Sequence, residues 1–184
     1  MSPLFTERLI LRNWEDRDRE LFHHINSDDA VMQFFGFRRN RSGSDAMMDR
    51  MRRDIDERGF GFCAAEIAET GETIGFVGLN AAALPGILQD DAVEIGWRLA
   101  PAHWGKGYAT EGARAWLRFG FKTLGLDQIV SFAVANNVRS TAVMERIGMR
   151  RVPGGDFDHP RVAEPALSRH VLYRISRADY AATR

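Results

Sequence analysis

Hydrophobic and polar positions alternate first with a period of two, then of three to four, then of two again. In "ERLILRNW" (Glu7 to Trp14), Leu9 and Leu11 alternate with Ile10 and Arg12, which predicts a strand. "EDRDRELFHHINSDDAVMQFF" follows, with acids early and Leu21, Phe22 and Ile25 on one face, which predicts one helix or two short ones. From Ser44 to Gly59, Met48, Met51 and Ile55 fall at helical steps, with Ser44 placed to cap the start and Gly59 to end it. "GFCAAEIAE", the turn "TGE" and "TIGFVGLNAA" read as a hairpin, followed by a loop, "LPGILQDD", and a strand from Ala92 to Ala100. A helix is expected from about Ala109, with Ala113, Leu117, Phe121 and Leu124 inward and Gly125 past its end. "DQIVSFAVA" is apolar enough to be a strand covered on both faces, and "NVRSTAVMERIG" a short helix closed by Gly148. "MRRV" and "RHVLYRIS" are two more strands, with the Pro-rich "PGGDFDHPRVAEPALS" between them as an irregular loop.

The order β-α-α-β-β-β-α-β-α-β-β, with no repeat, low-complexity tract or linker, predicts one mixed α/β (α+β) domain over residues 1–184. Apolar residues make up 45% of the chain, enough for a real core. Lys+Arg and Asp+Glu are both 25, so net charge gives no reason to expect a nucleic acid as partner. The arginines of "RRNRSGSDAMMDRMRRDIDER" are interleaved with acids and read as a solvated face. Cys63 is the single cysteine, in an apolar strand, so neither a disulfide nor a Cys/His metal site is expected. With no signal peptide and no apolar run long enough to span a membrane, a cytoplasmic protein is expected. Phe34, Phe35 and Phe37 and the strand edges would suit a homodimer contact.

The stretch with the most chemistry in it is "PAHWGKGYATEG" (Pro101 to Gly112), between a strand and a helix. There, unbonded backbone N–H groups and the helix dipole act on one spot, which favours an anion, and Gly105 and Gly107 let that anion approach the chain. Lys106 adds a positive charge. The turn is no P-loop, because Gly107 follows Lys106 where Ser or Thr is needed. Nor is it a dinucleotide fingerprint, because Thr110 stands at the third glycine. By itself it is equally consistent with a plain connector.

Taken with "IVSFAVA" and "NNVRSTAVMERIGMRR", the turn resembles the phosphate loop of the GCN5-related N-acetyltransferase (GNAT) superfamily, of the form Arg/Gln-x-x-Gly-x-Gly/Ala. Trp104, Gly105, Lys106, Gly107, Tyr108 and Ala109 fill its places, with Trp104 departing from the usual Arg/Gln. "WGKGYATE", "TERLILRNW" and "NVRSTAVMERIGM" resemble the branch containing ribosomal-protein N-terminal acetyltransferases.

The resemblance implies a mainly antiparallel sheet with splayed central strands and acetyl-CoA as co-substrate. It places the pyrophosphate on amides from about Gly105 to Ala109, with Trp104 and Thr110 also among the cofactor-binding residues. It places the pantetheine arm along the main chain of Trp97, Arg98 and Leu99, whose N–H groups near Trp97 or Arg98 would also receive the developing oxyanion. It gives Asn137 a bond to that arm and Ser140 a proton for the departing thiolate, although both residues also suit helix capping. Many relatives use a nearby tyrosine for that proton, and none follows here.

Glu94, a carboxylate in an apolar strand, is a candidate base, or else the partner of an arginine; Glu66 is a second candidate. Asp156, Asp158 and His159, with His170 nearby, would line the mouth of the acceptor site. The implied activity is acetyl transfer to a primary amine, on a protein N-terminus or a small molecule, by direct attack. A catalytically weak coenzyme A-binding module is the alternative. The acceptor site is expected from Phe34 to Arg58, the loop from Leu84 to Asp91 and the late loop.

Overall fold

The computed structural model describes residues 1–182. One sheet of nine strands carries the molecule, in the order β1-β2-β3-β4-β5-β6-β9-β7, with β8 pairing β9 beside that path. Its strands are β1 (Leu4–Phe5), β2 (Leu9–Arg12), β3 (Phe62–Ile67), β4 (Thr73–Ala81), β5 (Val93–Leu99), β6 (Gln128–Val134), β7 (Arg150–Arg151), β8 (Phe157–Asp158) and β9 (Arg169–Ser176). All pairings are antiparallel except that of β5 with β6. The helices are α1 (Arg19–Ser27), α2 (Arg41–Arg58), α3 (Tyr108–Lys122), α4 (Val138–Arg146), α5 (Pro165–Ser168) and α6 (Arg177–Ala182).

The expected order of elements holds, and the departures have local causes. The first strand is split: Thr6 Oγ1 accepts from Leu9 N at 2.8 Å, turning the chain so that Leu4 pairs with Leu11. Helix α1 stops at Ser27, where Asp28 turns extended and its Oδ1 accepts from Val31 N, so Asp28 to Phe35 form turns rather than helix. Ser44 is not the cap of α2. Asn40 is, accepting from Gly43 N at 2.8 Å, and Ser44 lies buried one turn further on. Gly59 does close α2, in a left-handed conformation (φ 76°) that spares a side chain the usual strain. The late loop is not wholly irregular, since it contains β8 and α5. Helix α6, not expected, is started by Ser176 and Asp179 and packs Tyr180 on Phe121 (ring centroids 4.8 Å apart).

Two layers of helix cover the sheet. Helix α3 packs on one face of its centre, where Gly112 lets Val77 approach and Gly120 lies against Ile129 and Leu79. Helices α1 and α2 cover the other face, where Trp14, Phe22, Phe62 and Phe76 form one aromatic cluster. A buried ion network pins this second layer: Arg12 donates to Asp18 at 2.8 and 3.0 Å and to Glu66 at 2.7 Å, and Thr73 donates to Asp18 at 2.7 Å. Burial alone would raise the Asp18 carboxyl, but Arg12, the Glu15 amide and Thr73 hold it below the ordinary value.

Candidate active site

Strands β5 and β6 pair at a single position, Glu94 with Val130. Ser131 Oγ still reaches Ile95 O at 2.9 Å; beyond it the strands part. A cleft of about 1970 Å³ opens at this divergence. Its walls are β5, β6, the start of α3, the start of α4, the α1–α2 connection and the late loop.

Successive residues of a strand present their main-chain groups to opposite edges. Ile95 O faces β6, so Trp97 and Leu99 face the gap as well, while Arg98 turns its main chain toward Phe76 on β4. Leu99 O is already taken by Trp104 Nε1 at 2.7 Å. The expectation that Trp97, Arg98 and Leu99 all offer main-chain groups therefore narrows to Trp97 and the Leu99 N–H. The N–H that faces the gap on this edge is that of Trp97, not that of Arg98.

At the far end of β5, Pro101–His103 form a short 3-10 turn that leads into the glycine loop. Gly105 (φ 74°) and Gly107 (φ 85°) are both left-handed, and Gly107 caps α3 without any side-chain acceptor. The first intrahelical bond is Glu111 N to Gly107 O, so the amides of Tyr108, Ala109 and Thr110 have no helical partner. They stand on the cleft wall with Trp104, Gly105 and Gly107, whereas Lys106 is exposed outside it. Such unbonded amides at the positive end of a helix fit a pyrophosphate.

Several residues around this loop were not singled out in the sequence. Glu111 Oε1 accepts from Thr6 Oγ1 (2.6 Å) and Arg8 N (2.8 Å), and its Oε2 from Arg8 Nε (2.7 Å). Arg8 also donates to Lys106 O at 3.1 Å and lies over the Tyr108 ring at 4.6 Å. Arg114, Arg118, Arg139 and Arg146 join Arg8 on the wall, with Arg139 over the Trp104 ring at 4.0 Å. The spacing of Arg114 and Arg118, one helical turn apart, was the available signal; it reads as an ordinary polar face until the β5–β6 gap is known.

Asn137 caps α4, its Oδ1 accepting from Ser140 N at 3.2 Å. That is the capping role the sequence allowed, and both residues also line the cleft. Tyr173, on β9, donates to Glu145 at 3.0 Å and is not on the cleft wall.

Glu94 does line the cleft. Burial raises its carboxyl to about 7, against smaller opposing effects of a hydrogen bond with Asn80 and the charge of Arg161. Glu66, the second candidate base, is instead held by Arg12 and Arg17 at 2.7 and 2.8 Å in the structural ion network and does not reach the cleft. Asp156 pairs with Arg151, and Asp158 lies within 3.6 Å of Arg169; neither lines the cleft. His159 and His170 do line it, their rings 4.9 Å apart, each held below the ordinary imidazole value chiefly by burial. Of the expected stretch from Phe34 to Arg58, Phe34 to Phe37 and Arg39 line the cleft and helix α2 does not, while the late loop lines it through His159 and Arg161 to Glu164. The Leu84 to Asp91 loop does not: Leu84 packs with Val130, Phe157 and Leu172 in a separate cluster.

Among the described residues no His, Cys, Asp or Glu cluster suits a metal ion, and no helix is long and apolar enough to cross a membrane.

A family model described as an acetyltransferase (GNAT) domain matches residues 8–150. The chain is 32% identical over 186 residues to the FsC-acetyl coenzyme A-N(2)-transacetylase of Aspergillus fumigatus, covering 96% of this chain and 77% of that protein. Among solved structures, a GNAT-family acetyltransferase from Bacillus anthracis superposes with a TM-score of 0.79 at 25% identity, over 96% of this chain and 99% of that one. The spermidine N-acetyltransferase of Vibrio cholerae, in complex with CoA and spermine, shares the fold, with a TM-score of 0.74 at 20% identity over 95% and 98% of the two chains. With its helix-capping glycine loop and its gap between parallel strands, this chain belongs to the GNAT family and is an N-acetyltransferase.

Proposed function

We propose that this protein transfers the acetyl group of acetyl-CoA to a primary amine by direct attack within a ternary complex. The observation that carries this is the alignment of two features along one cleft: the unbonded amides of Tyr108, Ala109 and Thr110, and the open main-chain edge at Trp97. The amides and the surrounding arginines would hold the pyrophosphate. The β5 edge would take the pantetheine arm as an added strand, and Asn137, on the cleft wall, would bond it. Coenzyme A brings the acetyl group as a thioester, whose carbonyl oxygen would be received by Trp97 N–H as charge develops on it.

The acceptor nitrogen must be neutral to attack. In this reading Glu94 takes its proton, the C–N bond forms, the C–S bond breaks, and Ser140 returns a proton to the thiolate. Support for Glu94 is its place on the cleft wall and a carboxyl that titrates near neutrality. Ser140 is supported by position alone, since Tyr173 is engaged elsewhere.

The test is release of coenzyme A thiol with acetyl-CoA against a panel of amines and peptides. Acceptor-dependent release supports the reading. Tight coenzyme A binding with no acceptor-dependent release would leave a binding module instead. In the same assay Ser140→Ala is expected to lower turnover more than coenzyme A affinity; loss of neither returns Ser140 to the α4 cap.

A further inference from the structure

Many arginines of this chain are matched by a carboxylate: Arg12 by Asp18 and Glu66, Arg38 by Asp29, Arg41 by Glu20 and Asp45. Arg39 and Arg98, both on the wall of the cleft, make no ion pair among the described residues. Arg98 leaves β5 on the same face as Gly96 and Glu94. Its guanidinium lies over Phe35 at 4.4 Å and over Phe76 at 5.3 Å, and its one hydrogen bond goes to Asn26 Oδ1 at 2.5 Å. Arg39 comes to the same place from the α1–α2 connection. Its main-chain N–H donates to the carbonyl of that same Asn26 at 2.9 Å. Its side chain lies over Phe37 at 4.9 Å, and its Nε is buried without a partner.

The two cations sense one another. Burial lowers Arg98 to about 10, and the charge of Arg39 lowers it in the same direction. A guanidinium carries five donors, and a buried cation without an anion is costly. Glu164 does not supply that anion: it packs against Gly36, its Oε2 3.5 Å from where a Cβ would stand, and pairs with neither arginine. Two like charges are thus gathered around Asn26, flanked by aromatic rings and facing the cavity, with donors unspent. That arrangement is complementary to a planar anion, which an arginine fork grips through two parallel bonds.

We propose that Arg39 and Arg98 bind a carboxylate of the acceptor, so that the acceptor is an aminocarboxylate of the amino-acid kind rather than a polyamine. The inference rests on the acetyl-transfer reading of the same cleft. Arg98 and Glu94 are four residues apart on one face of β5, roughly 13 Å along the strand, with side-chain-free Gly96 between them. The surface therefore offers an anion-binding end and a proton-accepting end, a span that suits an amine several bonds from the carboxylate, as at the end of an amino-acid side chain or in a peptide. A polyamine would set a second positive charge against the arginines.

The experiment compares kcat/KM for free amino acids, their carboxamides, short peptides with an acidic second residue, and spermidine, using the intact protein and acetyl-CoA. The carboxylate is expected to raise kcat/KM about tenfold or more over the carboxamide, the scale of a charged hydrogen bond. Preference for free amino acids or for acidic peptides supports the proposal either way and names the source of the carboxylate. Arg39→Gln should remove most of that advantage, leave the carboxamide within about twofold, and leave the KM for acetyl-CoA unchanged. Because Arg98 is enclosed and Arg98→Gln risks misfolding, Arg39→Gln, on the connection between α1 and α2, is the deciding variant. Equal or better use of carboxamides or spermidine would overturn the proposal, as would an Arg39→Gln effect equal on acid and amide. Absence of acceptor-dependent thiol release from every amine, with coenzyme A still bound, would instead overturn the transfer reading and the proposal with it.

Discussion

Glu94 and Glu66 satisfy the same sequence criterion, a carboxylate within an apolar strand, and the structure separates them. Glu66 meets Arg12 and Arg17, residues 54 and 49 positions away in the chain. Glu94 faces a cavity, and its carboxyl is raised to about 7 by burial. No spacing rule reveals which strand carboxylate has a distant arginine; only the folded register does. The sign of the pH effect follows from the raised value. Below about 7 the carboxyl is neutral and cannot accept a proton, so kcat/KM for an amine should rise with pH through that region. Glu94→Gln should abolish this limb and lower kcat by about 10²- to 10⁴-fold; an unchanged pH profile would remove Glu94 as base. The same shift acts on stability in the opposite sense. Between the ordinary value of 4.5 and about 7 the native state holds the proton that the unfolded chain gives up, so stability falls as pH rises through that window. Glu94→Gln should therefore melt no lower than the parent at pH 8, and relatively lower at pH 5, in paired thermal scans.

At the scale of the element, the loop from Trp104 to Thr110 shows what a sequence can and cannot carry. Its two glycines and the following helix were readable, because left-handed backbone and an unbonded helix start have compositional marks. The clamp that holds the loop in place was not, since Glu111 reaches Thr6 and Arg8 from more than a hundred residues away. Gly107→Asp should weaken coenzyme A by about tenfold or more by calorimetry. It puts a strained side chain at φ 85° and a negative charge beside amides that would hold phosphate. An unchanged affinity would move the pyrophosphate off this loop. Glu111→Ala should cost about 1–3 kcal/mol through the donors it strands. Glu111 is partly buried, yet bonds from Thr6 and Arg8 keep its carboxyl below the ordinary 4.5. Its contribution is therefore present above that value and lost as the solution is acidified, which melting curves of parent and variant at pH 7 and pH 3 would show converging.

For the whole molecule, the order of strands and helices was legible because periodicity and glycine stops are local. The ends and caps were less so. Ser44 looked like a cap and is buried, because Asn40 offered the better-placed oxygen. The second layer of helix is held to the sheet through Arg12, whose partners Asp18 and Glu66 lie within the fold. Arg12→Met should cost about 3–5 kcal/mol by leaving Asp18 enclosed without its cation and Glu66 with Arg17 alone, a fall of roughly 2–4 °C in Tm per kcal/mol at this size. A loss below 1 kcal/mol in denaturant titration would mean that Arg17 alone neutralises Glu66.

One backbone pairing, Glu94 with Val130, and one side-chain bond, Ser131 Oγ to Ile95 O, tie the two halves of the sheet across β5 and β6. A ligand lying along β5 would stand where the next strand is missing, so the cell's own thioester would be a temporary plank in the protein's floor. Amides of β5 and β6 should then exchange with deuterium more slowly when that plank is laid, and each catalytic cycle would lift it out and set another in its place.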